Sequence, residues 1–424
     1  MIQSIRGFKD ILPGETELWR HVERTASDLF EDFGFKEIRL PIMERAELFA
    51  RSIGEDTDIV EKEMYSFSDR GKDLITLRPE ATASIARSYI QHKMHGDGQV
   101  RKFYTIGPMF RRERPQKGRH RQFYQINAEV IGSASPLTDA GLIFMLSAFL
   151  ERVMAGDVVI HLNSLGCPSC RPAFSEALKA RIEPQKEALC ADCRKRSEKN
   201  PLRTLDCKVP SCKEAMEGAP ALTDFLCAGC QTHFDALIRR LDALGIAFVQ
   251  DKKLVRGLDY YTRTTFEVHA GSLGAQNAVA GGGRYDGLIR ALGGPDTPGA
   301  GFAVGFDRLA AISGLSAADC LKSPDVFIAA MGEACVEKAS DLSCRFAARG
   351  IRAEADFSGR SLKSQMKLAN RLGALHVMIL GDDELEKGQV ILRNMAAGSQ
   401  VSIPLEGIVE NVESALGLGK NEIR

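Results

Sequence analysis

The segment that most constrains this chain is 110–125, which holds five arginines and one lysine against a single glutamate. The whole chain is balanced, with 56 Lys+Arg and 56 Asp+Glu, so this positive charge is local. Pro115 and Gly118 predict a turn between strand-like runs at Lys102–Ile106 and Gln122–Val130. We therefore predict a β-hairpin with a cationic tip, and local charge of this kind is typical of a site for an anionic ligand.

The second strand of this hairpin alternates polar and apolar residues. Gln125, Asn127 and Glu129 share one face, opposite the face that holds Tyr124 and Ile126. A row of amides and a carboxylate is typical either of a solvated edge strand or of the wall of a polar pocket. The hairpin taken alone leaves both interpretations open.

The hairpin resembles motif 2 of class II aminoacyl-tRNA synthetases. The resemblance is carried by Phe110–Arg114 and Arg121–Gln125, and the stretch Arg114–Arg119 is similar to that of histidyl-tRNA synthetases. This resemblance implies an α/β (α+β) fold. The expected architecture is a class II catalytic domain on an antiparallel sheet, with an inserted subdomain and a C-terminal α/β anticodon-binding domain.

Four more regions extend the resemblance in chain order. The predicted helix Glu15–Phe33 with the strand Lys36–Pro41 resembles motif 1, which builds the dimer interface in that family. Arg256–Thr264 and Ala280–Leu288 resemble the two histidine-specific signatures. Gly299–Leu309 resembles motif 3, where small residues on one strand face let a flat ring lie close to the backbone. Standing alone, each would be an ordinary helix, strand or glycine-rich turn.

A strand that runs to Leu77 leads into a turn and then a helix predicted from about Ala83. Glu80 and Thr82 lie at this junction, where side chains commonly face a ligand. They could equally cap the helix, because Thr and Glu in a first turn satisfy free N–H groups and the helix dipole. The two roles are compatible.

The resemblance implies a role for each matching residue. The residues matched to the histidine site are Glu80, Thr82, Gln125, Glu129, Tyr261 and Tyr285. Those matched to the ATP site are Arg111, Glu113, Arg119 and Arg308. Arg256 and Arg111 are matched to the catalytic cations on either side of the α-phosphate. The acceptor end of tRNA is expected near Gln116, Lys117 and Arg121.

The implied reaction has two steps. L-histidine attacks the α-phosphate of ATP, which enters with Mg2+, and the histidyl group of the adenylate then passes to the 3′ end of tRNA(His). Neither step needs a protein nucleophile, because positioning and charge stabilisation suffice. The implied partners are L-histidine, ATP, tRNA(His) and a second copy of the chain in a homodimer.

Eight of the eleven cysteines lie between Gly166 and Gln231. They are spaced as the pairs Cys167 and Cys170, Cys190 and Cys193, Cys207 and Cys212, and Cys227 and Cys230. Such spacing lets two thiolates reach one tetrahedral ion, so we predict one or two four-cysteine Zn2+ sites without deciding their pairing. Buried free thiols are the alternative. Since the block is an insertion between the motifs, any metal is expected to be structural and not catalytic.

The length of 424 residues predicts two or three domains. We place them at 1–322, with the insertion at about 166–250, and at 325–424, where strands alternating with helices are typical of a small mixed-sheet domain. The N-terminus lacks the apolar core of a signal peptide, and no stretch is apolar for long enough to span a bilayer. A cytoplasmic protein without a membrane partner is expected.

Two other functions fit parts of the sequence. A non-catalytic regulatory subunit of ATP phosphoribosyltransferase would resemble the catalytic domain but lack the C-terminal domain and the catalytic arginines. This chain has Arg111, Arg256 and Arg308, and the segment that follows residue 324 is long enough for a small domain. A zinc-knuckle nucleic-acid-binding module on an inactive scaffold would explain the cysteines but not the ordered motifs.

Overall fold

The computed structural model describes residues 1–55, 57–115, 118–273 and 277–417. The chain divides into two compact units, Met1–Cys320 and Leu321–Arg424, and each has its own sheet and hydrophobic core. Within the described ranges, no helix is both long and apolar enough to cross a membrane.

The strands of the first unit are β1 (Lys36–Glu37), β2 (Met43–Arg45), β3 (Tyr65–Ser68), β4 (Leu74–Leu77), β5 (Arg101–Phe110), β6 (Gln122–Ile131), β7 (Val158–Ser164), β8 (Phe248–Gln250), β9 (Thr262–Ala270), β10 (Ala278–Arg284) and β11 (Gly299–Gly305). Its α-helices are α1 (Thr16–Asp32), α2 (Ala46–Ile53), α3 (Thr82–Gln91), α4 (Pro136–Arg152), α5 (Arg171–Ile182), α6 (Ala191–Lys199), α7 (Pro210–Ala215), α8 (Ala228–Ala243), α9 (Leu288–Ala291), α10 (Phe306–Ile312) and α11 (Ala317–Cys320). A π-helical turn spans Ile59–Glu63, and 3-10 turns span Glu183–Ala188, Pro201–Asp206, Leu222–Phe225 and Gly271–Leu273.

Eight of these strands form one sheet in the order β1-β5-β6-β11-β10-β9-β7-β8. Neighbours from β5 across to β7 are antiparallel, and only the outer pairs β1–β5 and β7–β8 are parallel in the described sheet. β2, β4 and β3 make a separate antiparallel sheet. The antiparallel sheet expected of a class II catalytic domain is therefore present.

One face of the large sheet is covered by helices. Along α1 the residues Leu18, Val22 and Leu29 are buried, which is the single apolar stripe of an amphipathic helix. They join Ile126 of β6 and Phe302 of β11 in the main core. Because side chains alternate across a strand, the polar residues of β6 point to the opposite face.

The strand predicted at Lys36–Pro41 is shorter in the structure and ends at Glu37. The Arg78 guanidinium lies 3.1 Å from the carbonyl oxygen of Leu40 and 3.4 Å from that of Pro41, so it donates to both. Because these carbonyl groups accept from a side chain, they do not pair with a neighbouring strand, and β1 extends over only two residues.

The cysteine insertion, residues 166–231, leaves the sheet after β7 and returns at α8. It holds α5, α6, α7 and three of the 3-10 turns. Its own small core combines Phe174, Leu178 and Ile182 with buried cysteines such as Cys193 and Cys212. In the large sheet β7, which precedes the insertion, pairs with both strands that follow it, β8 and β9.

The second unit is a small α/β fold. Its strands are β12 (Val326–Ala330), β13 (Ala353–Ala355), β14 (His376–Leu380), β15 (Gln389–Asn394) and β16 (Gln400–Pro404), and its helices are α12 (Glu333–Ala348), α13 (Leu362–Arg371), α14 (Asp382–Glu386) and α15 (Ile408–Ala415). The strand order is β13-β12-β14-β15-β16, parallel on one side and antiparallel on the other. All five residues of β12 are buried, as expected of a strand covered on both faces.

Candidate active site

A recess of about 400 Å³ opens on the polar face of the large sheet. It lies between the start of α3, the strands β6, β10 and β11, and the segment that precedes β9. All six residues matched by sequence to the histidine site line it, and so do both candidate catalytic arginines. The structure therefore brings together residues from position 80 to position 285.

Glu129 of β6 occupies the floor of this recess and is only 1% exposed. One carboxylate oxygen accepts a 2.7 Å hydrogen bond from the hydroxyl of Thr82, and the other accepts one of 2.7 Å from the hydroxyl of Tyr285. Burial raises the pKa of Glu129 to about 8, against the lowering effect of these two hydroxyls. The group is thus a buried acceptor that is easily protonated near neutral pH.

Glu80 caps α3. Its two carboxylate oxygens accept hydrogen bonds from the backbone N–H groups of Thr82, at 2.7 Å, and Ala83, at 2.9 Å. Burial raises the pKa of Glu80, while the N–H groups oppose the shift. The capping role considered from the sequence is present, and it fixes a carboxylate at the edge of the recess.

Several polar atoms in the recess are buried without a hydrogen-bond partner. They are both amide atoms of Asn127, the Oε1 atom of Gln125 and the Nε atom of Arg256. A buried polar group that is left unpaired costs about 1–3 kcal/mol, so such atoms are rare unless a ligand satisfies them. Their convergence on one cavity indicates a polar ligand with both donor and acceptor groups.

Asn127 was not among the residues predicted for the site. It is fully buried and lines the recess between Gln125 and Glu129. The alternation of polar and apolar residues along β6 places Asn127 on the same face as Gln125 and Glu129, so the sequence did indicate its position. Tyr260 is a second lining residue that was missed; its ring lies 4.8 Å from that of Tyr261 and 5.9 Å from that of Tyr285.

Two glycines make room for the charged side chains. A Cβ atom built on Gly301 of β11 would lie 1.7 Å from Oε2 of Glu129. One built on Gly281 of β10 would lie 2.5 Å from the Arg256 guanidinium. Neither distance can be tolerated between non-bonded atoms, so these strands need glycine where the carboxylate and the guanidinium cross them.

Arg256 forms an ion pair with Glu267 of β9, and its guanidinium lies 5.6 Å from the ring centroid of Tyr261. Burial opposes its charge, but the Glu267 carboxylate outweighs this and raises the pKa of Arg256. Burial likewise favours a neutral Glu267, but Arg256 and His269 dominate and hold the pKa of Glu267 at about 2. Both partners are therefore charged at neutral pH.

The candidate ATP residues lie beside the hairpin tip. Arg111 donates from Nε to the carbonyl of Pro79 at 3.0 Å, and its guanidinium lies 5.4 Å from the ring centroid of Phe123. Glu113 pairs with Arg119 at 2.7 Å. These residues leave a cationic wall next to an aromatic ring, which suits a nucleotide.

Arg308 of α10 spans from this tip to β10. It donates to the carbonyl of Gly118 at 3.3 Å and to that of Ala278 at 2.6 Å. Burial lowers the pKa of Arg308, and the neighbouring Arg119 adds to the effect. Such a cluster of like charges is typical of a phosphate-binding site.

Of the residues predicted to meet the tRNA acceptor end, the structure describes Arg121. Gln116 and Lys117 lie outside the described residues. Arg121 donates to the carbonyl of Glu113 at 3.3 Å and to that of Arg6 at 3.4 Å. It thus ties the second strand of the hairpin to the N-terminal segment.

The eight clustered cysteines gather into two groups of four, in each of which all sulfur atoms lie within 4.8 Å of one another. Cluster I consists of Cys167, Cys170, Cys227 and Cys230. Cluster II consists of Cys190, Cys193, Cys207 and Cys212. The outer two pairs of the sequence thus combine, and so do the inner two, a pairing that the spacing alone left undecided.

The geometry of both clusters fits a tetrahedral Zn2+ ion. Four thiolates about 2.3 Å from one ion lie about 3.8 Å apart. In cluster I the sulfur of Cys167 lies 3.7 Å from that of Cys170 and 3.9 Å from that of Cys227. In cluster II the sulfur atoms of Cys190 and Cys207 lie 3.9 Å apart.

The backbone around the clusters supports the same interpretation. The N–H of Cys227 donates to the sulfur of Cys170 at 3.2 Å, and the N–H of Cys190 donates to the sulfur of Cys212 at 3.2 Å. Donors of this kind stabilise negative charge on sulfur, which is the form that binds a metal.

The sequence also matches known families. Residues 7–309 match the family described as Histidyl-tRNA synthetase, and residues 325–415 match the Anticodon binding domain. The chain is 58% identical over 419 residues to the Histidine–tRNA ligase of Desulfatibacillum aliphaticivorans, covering 99% of this chain and 100% of that relative. It is 52% identical over 405 residues to the Histidine–tRNA ligase of Geobacter sulfurreducens, covering 96% and 98%.

Solved structures give the same result. The apo histidyl-tRNA synthetase of S. aureus is similar with a TM-score of 0.80 and 37% identity, covering 97% of this chain and 99% of that one. A histidyl-tRNA synthetase from Nostoc sp. PCC 7120 shares the fold at 21% identity, with a TM-score of 0.69 and coverage of 98% and 100%. Both matched families, the full-length relatives and the fold agree, and the chain belongs to the histidyl-tRNA synthetase family.

Proposed function

We propose that the chain is a histidine–tRNA ligase. It activates L-histidine with ATP to form histidyl-adenylate and pyrophosphate, and transfers the histidyl group to the 3′ end of tRNA(His). The observation that carries this proposal is the recess itself, where unpaired buried polar atoms of Gln125, Asn127 and Arg256 surround a buried carboxylate. A small polar amino acid and a phosphate group would together supply hydrogen-bond partners for the donor and the acceptor atoms of these side chains.

Histidine recognition is assigned to the floor and rim of the recess. The α-ammonium group lies against Glu80, Thr82 and Gln125, because a carboxylate and polar oxygen atoms suit a cation. The imidazole N–H donates to Glu129, whose two oxygens already accept from Thr82 and Tyr285. Tyr261 closes the remaining side.

The chemistry is assigned to two arginines. Arg111 and Arg256 hold the α-phosphate between them while the histidine carboxylate attacks it, and a guanidinium that stays charged stabilises the negative charge of the pentavalent transition state. Arg308 binds the outer phosphates, and Glu113 and Arg119 flank the ATP tail. ATP enters with Mg2+, which accompanies the departing pyrophosphate.

The non-catalytic alternative, a regulatory subunit of ATP phosphoribosyltransferase, is not favoured. A protein from Bacillus halodurans C, named as both an ATP phosphoribosyltransferase regulatory subunit and a histidyl-tRNA synthetase, is 18% identical, and at that identity the similarity shows the fold alone. The relatives at 58% and 57% identity are named as histidine–tRNA ligases over the length of the chain.

We further propose that each cysteine cluster holds one structural Zn2+ ion. The sulfur spacing and the N–H···S contacts support this assignment. Neither cluster contributes a residue to the recess, so the ions take no part in the reaction. Elemental analysis of the purified chain should find two zinc ions per chain.

The partners we infer are tRNA(His), read at its acceptor end by Gln116, Lys117 and Arg121 and at its anticodon by the second unit, and a second copy of the chain. A homodimer would form through the motif 1 region, directly after which Ile42 and Met43 are 45% and 54% exposed. The setting is translation in the cytoplasm.

Histidine-dependent exchange of pyrophosphate into ATP tests this function directly. A ligase should show exchange with L-histidine and charge tRNA(His) but no other tRNA. A chain that binds histidine without any exchange would instead support the regulatory alternative.

A further inference from the structure

The segment 254–261, here called the signature loop, carries Arg256 and Tyr261 into the recess but belongs to no strand. A loop that holds a catalytic side chain needs external contacts to fix it, because its own backbone forms no ladder. Asn163 of β7 supplies one contact by donating to the carbonyl of Leu254 at 2.9 Å. Two more come from the cysteine insertion.

Arg203 provides the stronger of these contacts. It donates from Nε at 3.1 Å and from Nη2 at 2.9 Å to one carboxylate oxygen of Asp259, and Nη2 also lies 3.5 Å from the carbonyl of Gly257. Asn200 adds a hydrogen bond of 3.2 Å to the same oxygen of Asp259. Arg203 is 9% exposed, whereas the side chain of Asp259 is 35% exposed, so the pair is shielded from solvent on the arginine side only.

Arg171 provides the second contact, by donating to the backbone carbonyl of Tyr261. It is the first residue of α5 and follows directly after Cys170 of cluster I. Arg203 in turn lies between Cys193 and Cys207 of cluster II. Each cysteine cluster therefore sits beside one arginine that holds the signature loop.

We propose that Arg203 and Arg171 are positioning residues, which hold the signature loop so that Arg256 faces the α-phosphate. This inference rests on the proposed function, because it assigns a role in the same reaction. It makes the insertion, which contributes no residue to the recess, a determinant of the rate of adenylate formation.

Further contacts join the insertion and the signature loop to the segment around the end of α2. Arg196 of α6 forms a 2.6 Å ion pair with Asp58, just before the π-helical turn at Ile59–Glu63. The backbone N–H of Asp259 also donates to the carbonyl of Ile53 at 3.1 Å. The loop is thus held between the end of α2 and the insertion, and a shift of the insertion would be transmitted to Arg256.

The test compares the Arg203→Met and Asp259→Asn variants with Lys186→Met. Lys186 lies in the same insertion and pairs with the exposed Glu198 at 3.0 Å, so its loss leaves the loop untouched. Misplacing a reacting group by about 1 Å can cost 10²-fold, so kcat of pyrophosphate exchange should fall by roughly 10- to 100-fold in the first two variants. The KM for histidine should change by a smaller factor than kcat, because Tyr261 is the one residue assigned to histidine that lies in the signature loop.

Two measurements separate positioning from a loss of folding. The Arg203→Met and Asp259→Asn changes should not add in the double variant, since each breaks the same pair. Zinc content and the melting temperature should match those of Lys186→Met. Asp259 lies outside the cysteine insertion, so its variant still tests the proposal if Arg203→Met loses zinc.

The proposal fails if kcat in both variants equals that of Lys186→Met, or if the fall in kcat only matches the measured fraction of unfolded protein, since an inactive fraction lowers kcat and leaves KM unchanged. In that case exchange by the unaltered chain would still stand, and with it the proposed function. Absence of exchange in the unaltered chain would overturn both.

Discussion

The recess and the cysteine insertion are neighbours in the first unit, but they are held in shape by different forces. The polar groups of the recess stand on β6, β10 and β11, whose backbones are paired on both sides and whose other face packs into the main core. The insertion has a small core of its own. Its buried residues include Cys193, Cys207 and Cys212, and Leu189 next to Cys190.

Because of this difference, the recess and the insertion should respond differently to substitution. A side chain such as Glu129 can change while the sheet beneath it stays, so the effect should appear in binding or catalysis. A segment of this size buries too little apolar surface to be stable alone and commonly relies on a metal or a disulfide. Its changes should appear first in metal content and stability, and reach the chemistry only through Arg203 and Arg171.

The largest effect is expected at Arg256. Under the proposed mechanism, Arg256→Ala removes one of the two cations that hold the α-phosphate and should lower pyrophosphate exchange by roughly 10²–10³-fold, as for a lost oxyanion contact. The KM for histidine should change much less. Arg290→Ala is the matched control, because Arg290 is exposed and pairs with Asp296 at 3.6 Å on the surface.

A melting temperature of Arg256→Ala far below that of Arg290→Ala would contradict this assignment. It would mean that the Arg256–Glu267 pair holds the sheet together rather than serving the reaction.

The next effect concerns histidine recognition. Glu129→Ala should raise the KM for histidine by roughly 10- to 100-fold, because a buried polar partner of the imidazole is lost. The KM for ATP should stay nearly unchanged. Steady-state exchange with each substrate varied in turn measures both, with the exposed Glu151→Ala as control. Equal increases for the two substrates would show that Glu129 does not face the amino acid.

The insertion should respond differently. The double change Cys227→Ser and Cys230→Ser removes two ligands of cluster I and should lower zinc from two ions to one per chain, as read by elemental analysis. Charging of tRNA should fall along with pyrophosphate exchange, because charging consumes the adenylate whose formation the exchange measures. Cys344→Ser, an exposed cysteine of the second unit, should change neither.

If the double variant retained two zinc ions, the assignment of Cys227 and Cys230 to cluster I would be wrong. A metal-free chain with full tRNA charging would show that the cysteines are only packing residues.

The smallest effect is a pH dependence of stability in the recess. The pKa of Glu129 is about 8 in the folded chain against 4.5 as its ordinary value, so the folded chain binds more protons between these limits. Stability should therefore fall as the pH rises from about 4.5 to about 8 and level off above it. Glu129→Gln removes this contribution.

Melting temperatures of the two proteins across this range provide the measurement. The unaltered chain should lose a few degrees relative to the Glu129→Gln variant as the pH rises. Parallel curves would mean that Glu129 keeps an ordinary pKa, and that the recess is more hydrated than its burial indicates.

Local patterns predicted much of this structure. The period-two alternation of 124–130 placed Glu129 and Gln125 on the polar face, and the small residues of 299–305 lie where the recess needs space. The strand-to-helix junction at Glu80 was located from turn and capping residues, and Glu80 does cap α3. These features depend on residues near one another in the chain.

Features that depend on distant residues were not predictable in the same way. The partners of Glu129 come from positions 82 and 285, and the four-cysteine groups join pairs that are separated by other pairs. Periodicity does not determine which remote segments meet, because this is decided by the packing of the whole sheet. The short β1 is a similar case, since a side chain from position 78 ends it.

Cluster I also affects which insertions and deletions the chain can tolerate during evolution. It joins Cys167 to Cys227, so the 60-residue excursion between them starts and ends at one point beside β7. Closing a loop of that length removes roughly 4 kcal/mol of unfolded-chain entropy if a metal acts as a cross-link does. A segment whose two ends meet can be shortened, lengthened or exchanged without moving the strands that flank it. Descendants of this chain could therefore replace the whole excursion in one event, provided that the replacement still supplied the contacts that Arg203 makes to Asp259 and Arg171 makes to Tyr261.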